Sequence, residues 1–342
     1  MRCVQVTTER QLRLTDVAEP EIRQPDDVRV RVAYCALNRL DLFSIQGMPF
    51  AHQALPLIAG AEASGIVDAV GAAVTDLTPG ERVVVYPGLV CFDCPRCRAG
   101  RENLCERPLG IRGFHADGVA AERVVVPRAT LIRVPDGLGL DAAACAPVGV
   151  ATVVHMLGDN ARLERGETIL VQAAGSGIGT VAVSLAKHLG AQVIATVGSA
   201  EKAERARALG VDHVIRYDQE SVPRAVRKLT ARRGVDVVFE HVGASTWDGS
   251  ILSMAKGARL VICGSHSGTY GRLNLVHLFN QHLKILASFG SSIANVGQAL
   301  DLLTRGDVKV VIDSELPLER FEEGVERLRD RKVFGKVIYR CS

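Results

Sequence analysis

Cys91, Cys94, Cys97 and Cys105 follow one another with two, two and seven residues between them, inside a loop rich in Gly, Pro and Arg. Four thiolates at that spacing make a closed tetrahedral set for Zn²⁺, and this constrains the fold more than any other feature of the chain. With four sulfurs bound, the ion keeps no open position for water or substrate. Such a site staples the loop 87–108 and takes no part in turnover, because its binding energy is folding energy. An iron–sulfur cluster does not suit the spacing. Ferredoxin-type runs place the fourth cysteine three residues on and follow it with Pro, whereas Cys105 comes after seven and precedes Glu106. One structural Zn²⁺ per chain is expected, and the chemistry has to lie elsewhere.

The chain has 342 residues, 47% of them apolar, enough for a large core divided between two domains. Its 41 basic and 38 acidic residues leave a formal charge of +3, which supplies no overall attraction to nucleic acid or to an anionic membrane. The opening MRCVQVTTERQLRL lacks the basic-then-apolar layout of a signal peptide, and no apolar run reaches membrane-spanning length. A cytoplasmic protein is expected. Thiols stay reduced there, so clustered cysteines favour metal over disulfides, and Cys3, Cys35, Cys145, Cys263 and Cys341 read as small core or surface residues.

The organisation changes near residue 165. Before it, short alternating runs such as VRVRVAYC, SGIVDAVG and ERVVVYPG are broken by Gly, Pro and Asp, the pattern of a β-rich domain with irregular loops. After it, apolar strands at Thr168–Ala174, Gln192–Val197, His213–Tyr217, Val235–His241, Arg259–Cys263 and Ile285–Phe289 alternate with helices such as Val181–Leu189 and Lys202–Leu209. That is the α/β pattern of a doubly wound parallel sheet. The closing FGKVIYR reads as a strand that returns to the first domain, which places the expected cofactor cleft between the two bodies. The division is expected at 1–145 with 292–342, and 146–291.

The turn after the first strand of the second region reads VQAAGSGIGT. Glycines there let the backbone approach a pyrophosphate, while the opening helix offers unpaired N–H groups and a positive dipole end. About twenty residues on, where an Asp or Glu would bind the free ribose hydroxyls of NAD, the strand ends in Gly198 and Ser199. That leaves room for a 2′-phosphate, to which Ser199 and Lys202 can donate, so NADP(H) is expected. The rival reading makes Lys202 and Arg205 solvated charges on a helix face.

Taken in order, ALNRLDL at 36–42, GAEASGIVDAVG at 60–71, the four-cysteine lobe, ATVVHML at 151–157, the glycine turn, DVVFEHVG at 236–243 and the final FGKV resemble the medium-chain dehydrogenase/reductase superfamily over essentially the whole chain. The resemblance implies a GroES-like β-rich catalytic domain, a Rossmann domain, and hydride transfer at the nicotinamide. It places Ala174, Gly175, Ser176, Gly177, Ile178 and Gly179 on the pyrophosphate and Ser199, Lys202 and Tyr217 on the adenosine phosphate. Towards the ribose and nicotinamide it places Val242, Gly243, Gly264, Ser265, His266 and Phe289.

The departures carry as much information. Zinc alcohol dehydrogenases hold a catalytic metal at the positions of Asn38, Phe43, Ala61 and Val148, and none of these side chains is a usual zinc ligand. Cys35 does not restore the pattern, since the position five residues on is Leu40. Glu62 and Asp41 remain, reading as hydrogen-bonded structural carboxylates. A structural-zinc lobe without a catalytic zinc resembles the quinone oxidoreductase-like and enoyl reductase-like branch, which reduces activated C=C bonds and quinones. The tyrosine donor of many relatives is Phe43 here. Candidate catalytic residues are then Asn38, which otherwise holds a loop, Thr152, which resembles a family threonine near the nicotinamide, and His155, which otherwise is a satisfied core histidine. His115 and His266 are loop histidines that could also face the cleft. The substrate is expected to be a small molecule (enone, enoyl thioester or quinone), with no nucleic-acid or membrane partner and with homodimer or homotetramer assembly. A zinc-dependent alcohol dehydrogenase with unusual ligands and a non-enzymatic NADPH-binding protein stay open.

Overall fold

The computed structural model describes residues 1–48 and 53–342. The chain forms two compact units, one of residues 1–151, 290–306 and 312–342, the other of residues 152–289 and 307–311.

The first unit is built on a sheet whose spatial order is Leu131–Arg133, Arg82–Val85, Glu62–Val70, Asp27–Ala36, Lys336–Arg340 and Ile312–Pro317, with Arg123–Pro127 also paired to Asp27–Ala36. Alternation produces this sheet. In Asp27–Ala36, Val28, Val30 and Val32 are buried while the intervening arginines are half-buried, as the two-residue side-chain period requires. The strand Lys336–Arg340 lies antiparallel to Asp27–Ala36, with Ile338 opposite Ala36. It is buried except for Arg340, and Tyr339 stacks on Phe321 at 4.4 Å and donates its hydroxyl proton to the Phe321 carbonyl. A three-stranded sheet, Leu12–Asp16, Arg2–Val6 and Leu57–Ile58, completes the β structure around the core, and a ribbon of Gly88–Leu89 with Gly110–Ile111 closes the base of the cysteine lobe.

The second unit is a six-stranded parallel sheet in the order His213–Arg216, Gln192–Val197, Thr168–Val171, Val235–Glu240, Met254–Ile262 and Lys284–Ala287. Its central strands read as continuous apolar runs because helices cover both faces; all of Thr168–Val171 is buried. Several boundaries differ from the sequence reading. The first strand stops at Val171 because Gln172 and Ala173 turn, the latter with a left-handed φ of +46°. The helix after it starts at Gly177, earlier than Val181, since the glycines form its first turn. The fifth strand begins at Met254, before Arg259, and passes an irregular register opposite Val235.

Between the two sheets in sequence runs the helical stretch Leu140–Ala143, Ala146–Val150, Ala151–Val154 and His155–Asn160, whose second and fourth segments are π-helical. Such segments are uncommon and often mark places where a helix is re-aimed for function. No helix among the described residues is long and apolar enough to cross a membrane.

Candidate functional site

The cysteine lobe gathers its four sulfurs by local structure. Cys94 caps the short helix Pro95–Arg98, and the turn Glu102–Leu104 delivers Cys105. All four Sγ atoms lie within 4.8 Å of one another, with Cys91 3.9 Å from Cys97 and 3.5 Å from Cys105. A tetrahedral ion with Zn–S bonds near 2.3 Å needs sulfur separations of about 3.8 Å. Backbone N–H groups also point at the sulfurs, from Cys94 to Cys91 (3.3 Å), from Glu106 to Cys94 (3.5 Å) and from Cys91 to Cys105 (3.5 Å). The Asp93 N–H holds the Cys91 thiol down to about 6, favouring the thiolate. The donor set fits a structural Zn²⁺.

A second cluster lies deeper in the same unit. Glu62 is fully buried and receives four hydrogen bonds: Asn38 Nδ2 (2.9 Å) and Lys336 Nζ (2.7 Å) on Oε1, and the N–H groups of Val148 (2.6 Å) and Gly149 (3.2 Å) on Oε2. Lys336 spends its other protons on the Leu37 carbonyl (2.9 Å) and Asn38 Oδ1 (2.7 Å). Asn38 in turn gives its second amide proton to the Ala36 carbonyl (3.2 Å). Both amide protons are thus held by protein acceptors, and a substrate oxygen would have to displace one of them. In this arrangement Asn38 ties down the junction between the strand Asp27–Ala36 and the helix Arg39–Gln46. Asp41 completes the cap of that helix, taking the Asn38 N–H at 2.6 Å. Phe43 and Val148 are half-buried and Ala61 is buried. The segment 44–56, expected together with 110–120 to shape the substrate pocket, is helical up to Gln46, and its residues 49–52 lie outside those described.

In the second unit the strand Thr168–Val171 sits where the sheet order reverses, the position at which open parallel sheets bind ligands. Ser176 caps the helix Gly177–His188, its Oγ accepting the Gly179 N–H at 2.9 Å. A Cβ on Gly179 would fall 2.6 Å from the Ala173 carbonyl oxygen, so only glycine allows the turn to close this tightly. Ala174 is buried and Gly175, Gly177 and Ile178 lie on the same turn. At the end of the next strand, Ser199 caps the helix Ala200–Ala208 by accepting the Lys202 N–H (3.2 Å), and its own hydroxyl proton remains to be donated. The Tyr217 hydroxyl occupies the space beside Gly198, 2.3 Å from where a Cβ would stand. Neither Gly198 nor Ser199 offers a carboxylate, and the residues fit a nicotinamide dinucleotide.

The other expected positions divide. Val242 and Gly243 give their N–H groups to Oε1 of the buried Glu240 (2.7 and 3.2 Å), while the Thr246 hydroxyl lies within reach of both carboxylate oxygens and the Ser250 hydroxyl donates to Oε2 (2.6 Å). Gly243 packs against Ser265, bringing that turn beside Gly264, Ser265 and His266. His266 Nδ1 lies 3.3 Å from the His241 carbonyl, and Phe289 is 71% exposed. His155 Nδ1 is 2.9 Å from the hydroxyl of Ser288, a buried residue, and 3.4 Å from Asn160 Nδ2. Thr152 is half-buried, and its hydroxyl has no hydrogen-bond partner among the described residues. His115 is exposed and its Nδ1 accepts the Ile111 N–H (3.1 Å). Lys336 and Glu240 escaped the sequence reading. For Lys336 the signal was present: a charged residue inside the apolar strand KVIYR must either reach solvent or find a buried partner.

Residues 24–136 match the alcohol dehydrogenase GroES-like domain and residues 177–305 the zinc-binding dehydrogenase domain. A quinone oxidoreductase of Pseudomonas aeruginosa is 31% identical over 94% of this chain and 93% of its own length. The chain belongs to the medium-chain dehydrogenase/reductase superfamily. An acryloyl-coenzyme A reductase of Metallosphaera sedula is 30% identical over 91% of each chain, and a 2-haloacrylate reductase of a Burkholderia species is 33% identical over 74% of this chain and 69% of its own. Among solved structures, one titled as an NAD-dependent alcohol dehydrogenase superposes with a TM-score of 0.94 at 40% identity over the whole of both chains. This is a superfamily of oxidoreductases that bind NAD or NADP. The catalytic metal of its zinc-type members does not fit here: Phe43, Ala61 and Val148 have hydrocarbon side chains, and the lone pairs of Glu62 are taken by four donors.

Proposed function

We propose that this chain is an NADPH-dependent oxidoreductase that transfers hydride to an activated C=C bond or a quinone without a catalytic zinc. The observation that carries the reading is the saturated Glu62, which has Lys336 as its cation and no lone pair to give a metal. Without a Lewis acid, an unactivated ketone or alcohol is a poor substrate, because charge developing on its oxygen meets no strong electrophile. A conjugated acceptor spreads that charge over several atoms. Hydrogen-bond donors and a solvent proton then suffice. The relatives named for quinone, acryloyl-coenzyme A and haloacrylate reduction support this choice.

When bound, the nicotinamide cofactor supplies the hydride. Ala174 to Gly179 hold its pyrophosphate on the helix N-terminus, with Ser199, Lys202 and Tyr217 at the 2′-phosphate. Val242, Gly243, Gly264, Ser265, His266 and Phe289 line the path to the nicotinamide. Thr152, with its uncommitted hydroxyl, is the first candidate to orient the ring or the acceptor oxygen; Asn38 and His155 act through the groups they hold. A homodimer or homotetramer acting on a small molecule in the cytoplasm completes the proposal, as does the division at 1–145 with 292–342, and 146–291.

The 40% identical structure titled as an NAD-dependent alcohol dehydrogenase favours a second reading, alcohol oxidation with NAD⁺. Rates with an enone, an enoyl thioester and a quinone, each with NADPH and NADH, against ethanol and butanol with NADP⁺ and NAD⁺, decide between them. Deuteride from labelled NADPH is expected on the β-carbon of the enone. Robust alcohol oxidation that follows added zinc overturns the first reading.

A further inference from the structure

Four buried side chains connect the glycine turn to the turn that follows the strand Val235–Glu240. The Ala173 N–H is given to the Thr196 hydroxyl (2.9 Å), which donates to Gln172 Oε1 (2.9 Å). Gln172 Nε2 donates to the Ser250 hydroxyl (2.9 Å), and that hydroxyl donates to Glu240 Oε2 (2.6 Å). Thr196, Gln172, Ser250 and Glu240 are each at most 2% exposed. Every donor in the row points the same way, towards the carboxylate, so that each bond polarises the next. On its other oxygen Glu240 takes the Val242 and Gly243 N–H groups. One carboxylate therefore terminates the bonds of both turns.

This is a costly way to fill an interior. Glu240 is held by backbone N–H and hydroxyl groups, with no lysine or arginine against it among the described residues, where an apolar residue of like volume would need no solvation to be replaced. What the row holds is the strained point of the glycine turn. Ala173 has a φ of +46°, a conformation that is unfavourable for any residue with a Cβ, and its N–H is pinned by Thr196 while the Ala174 N–H is bound to the Thr196 carbonyl (3.0 Å). A few residues on, the N–H groups of Gly177 and Ile178 open the helix Gly177–His188 with no acceptor among the described residues. Their direction depends on how Ala173 turns. The strands that bear or lead into Thr196, Gln172 and Glu240 are neighbours in the parallel sheet, so the whole row lies within the second unit.

We propose that Glu240 is a positioning residue for the nicotinamide dinucleotide: through Ser250, Gln172 and Thr196 it holds Ala173 in its left-handed turn and so sets the N–H groups that receive the pyrophosphate. Being enclosed, it acts through the turn and not by contact with the cofactor. The role rests on the proposed dinucleotide site at the glycine turn and is independent of which acceptor is reduced.

The dissociation constant of NADPH, or of NADH if the wild type binds only that, is to be measured by calorimetry for the wild type, Thr196→Val, Thr196→Ser, Glu240→Gln and the double variant Thr196→Val/Glu240→Gln. Valine keeps the shape of threonine without its hydroxyl, serine keeps the hydroxyl without the methyl, and glutamine sets an amide donor against the donors that now face a carboxylate. Thr196→Val and Glu240→Gln should each weaken binding by about tenfold. The double variant should bind no more than about twofold worse than the weaker single, because one cut already breaks the row. Thr196→Ser should stay within about threefold of the wild type, whereas a role in packing alone would make it the worse of the two threonine variants. If Glu240→Gln does not fold, the contrast between Thr196→Val and Thr196→Ser carries the test. Single variants that bind like the wild type, losses that multiply to about a hundredfold in the double variant, or a Thr196→Ser as weak as Thr196→Val overturn the role of Glu240. A wild type that binds neither dinucleotide overturns the cofactor reading and this role together, while one that binds a dinucleotide but reduces no activated C=C bond or quinone overturns the proposed reaction alone.

Discussion

Lys336 Nζ stands 2.7 Å from Glu62 Oε1, with the two side chains 3% and 0% exposed. Removing one partner of a buried pair leaves a charge without compensation. Lys336→Met should therefore cost about 3–5 kcal/mol of stability, read from urea midpoints at constant m-value. The double variant Lys336→Met/Glu62→Gln should recover much of the loss, since the orphaned charge is gone. A midpoint unchanged in Lys336→Met would refute the role given to this pair.

Metal analysis should return one zinc per chain. Cys94→Ser or Cys105→Ser should bring it close to zero and expose the loop 87–108 to proteolysis, because a thiolate is lost from a site whose binding energy is folding energy. Turnover per folded molecule should fall only modestly. If chelation abolished hydride transfer while near-UV circular dichroism stayed intact, the ion would be catalytic and the assignment wrong.

Burial holds the Asp41 carboxyl up at about 7, against an ordinary value of 3.8, and its Oδ1 has no hydrogen-bond partner among the described residues. The folded state thus keeps a proton that the unfolded chain releases above pH ~4. The contribution is full below that pH and is lost as pH rises through 7, amounting to on the order of 3–4 kcal/mol. The difference in unfolding free energy between the wild type and Asp41→Asn should slope between pH 5 and 7 and flatten above 8. A difference independent of pH would mean that Asp41 ionises normally.

Ser199→Asp places a carboxylate where the 2′-phosphate is proposed to sit and removes a donor. Discrimination in favour of NADPH should drop by about 2–3 kcal/mol, and NADH should become the better substrate in kcat/KM. Equal use of both cofactors by the wild type, unchanged in the variant, would put the phosphate elsewhere.

The parallel sheet, the cysteine lobe and the glycine turn were legible because each rests on short-range pattern: apolar strand runs, ligand spacing, small residues between a strand and a helix. The polar interior was not. Glu62 and Asp41 were read as hydrogen-bonded carboxylates, but their partners are set by tertiary pairing, which brings Lys336 to Asn38 across 298 positions of sequence. Asn38 read either as a donor to substrate or as a residue that holds a loop, and the two protein acceptors of its amide protons depend on tertiary structure. Arg112 is buried in a turn where Gly113 and Gly118 press against Gly60, a fit that no local pattern announces.

Glu62 and the lysine that neutralises it are 274 residues apart. On the ribosome, the strands around Glu62 emerge long before Lys336 exists, and until it arrives a carboxylate would sit in that interior unneutralised. The earlier part of this unit is therefore expected to stay loose during synthesis, while the parallel sheet of residues 168–287, drawn from one continuous stretch, has all its partners in hand sooner. The unit made first would be the one completed last.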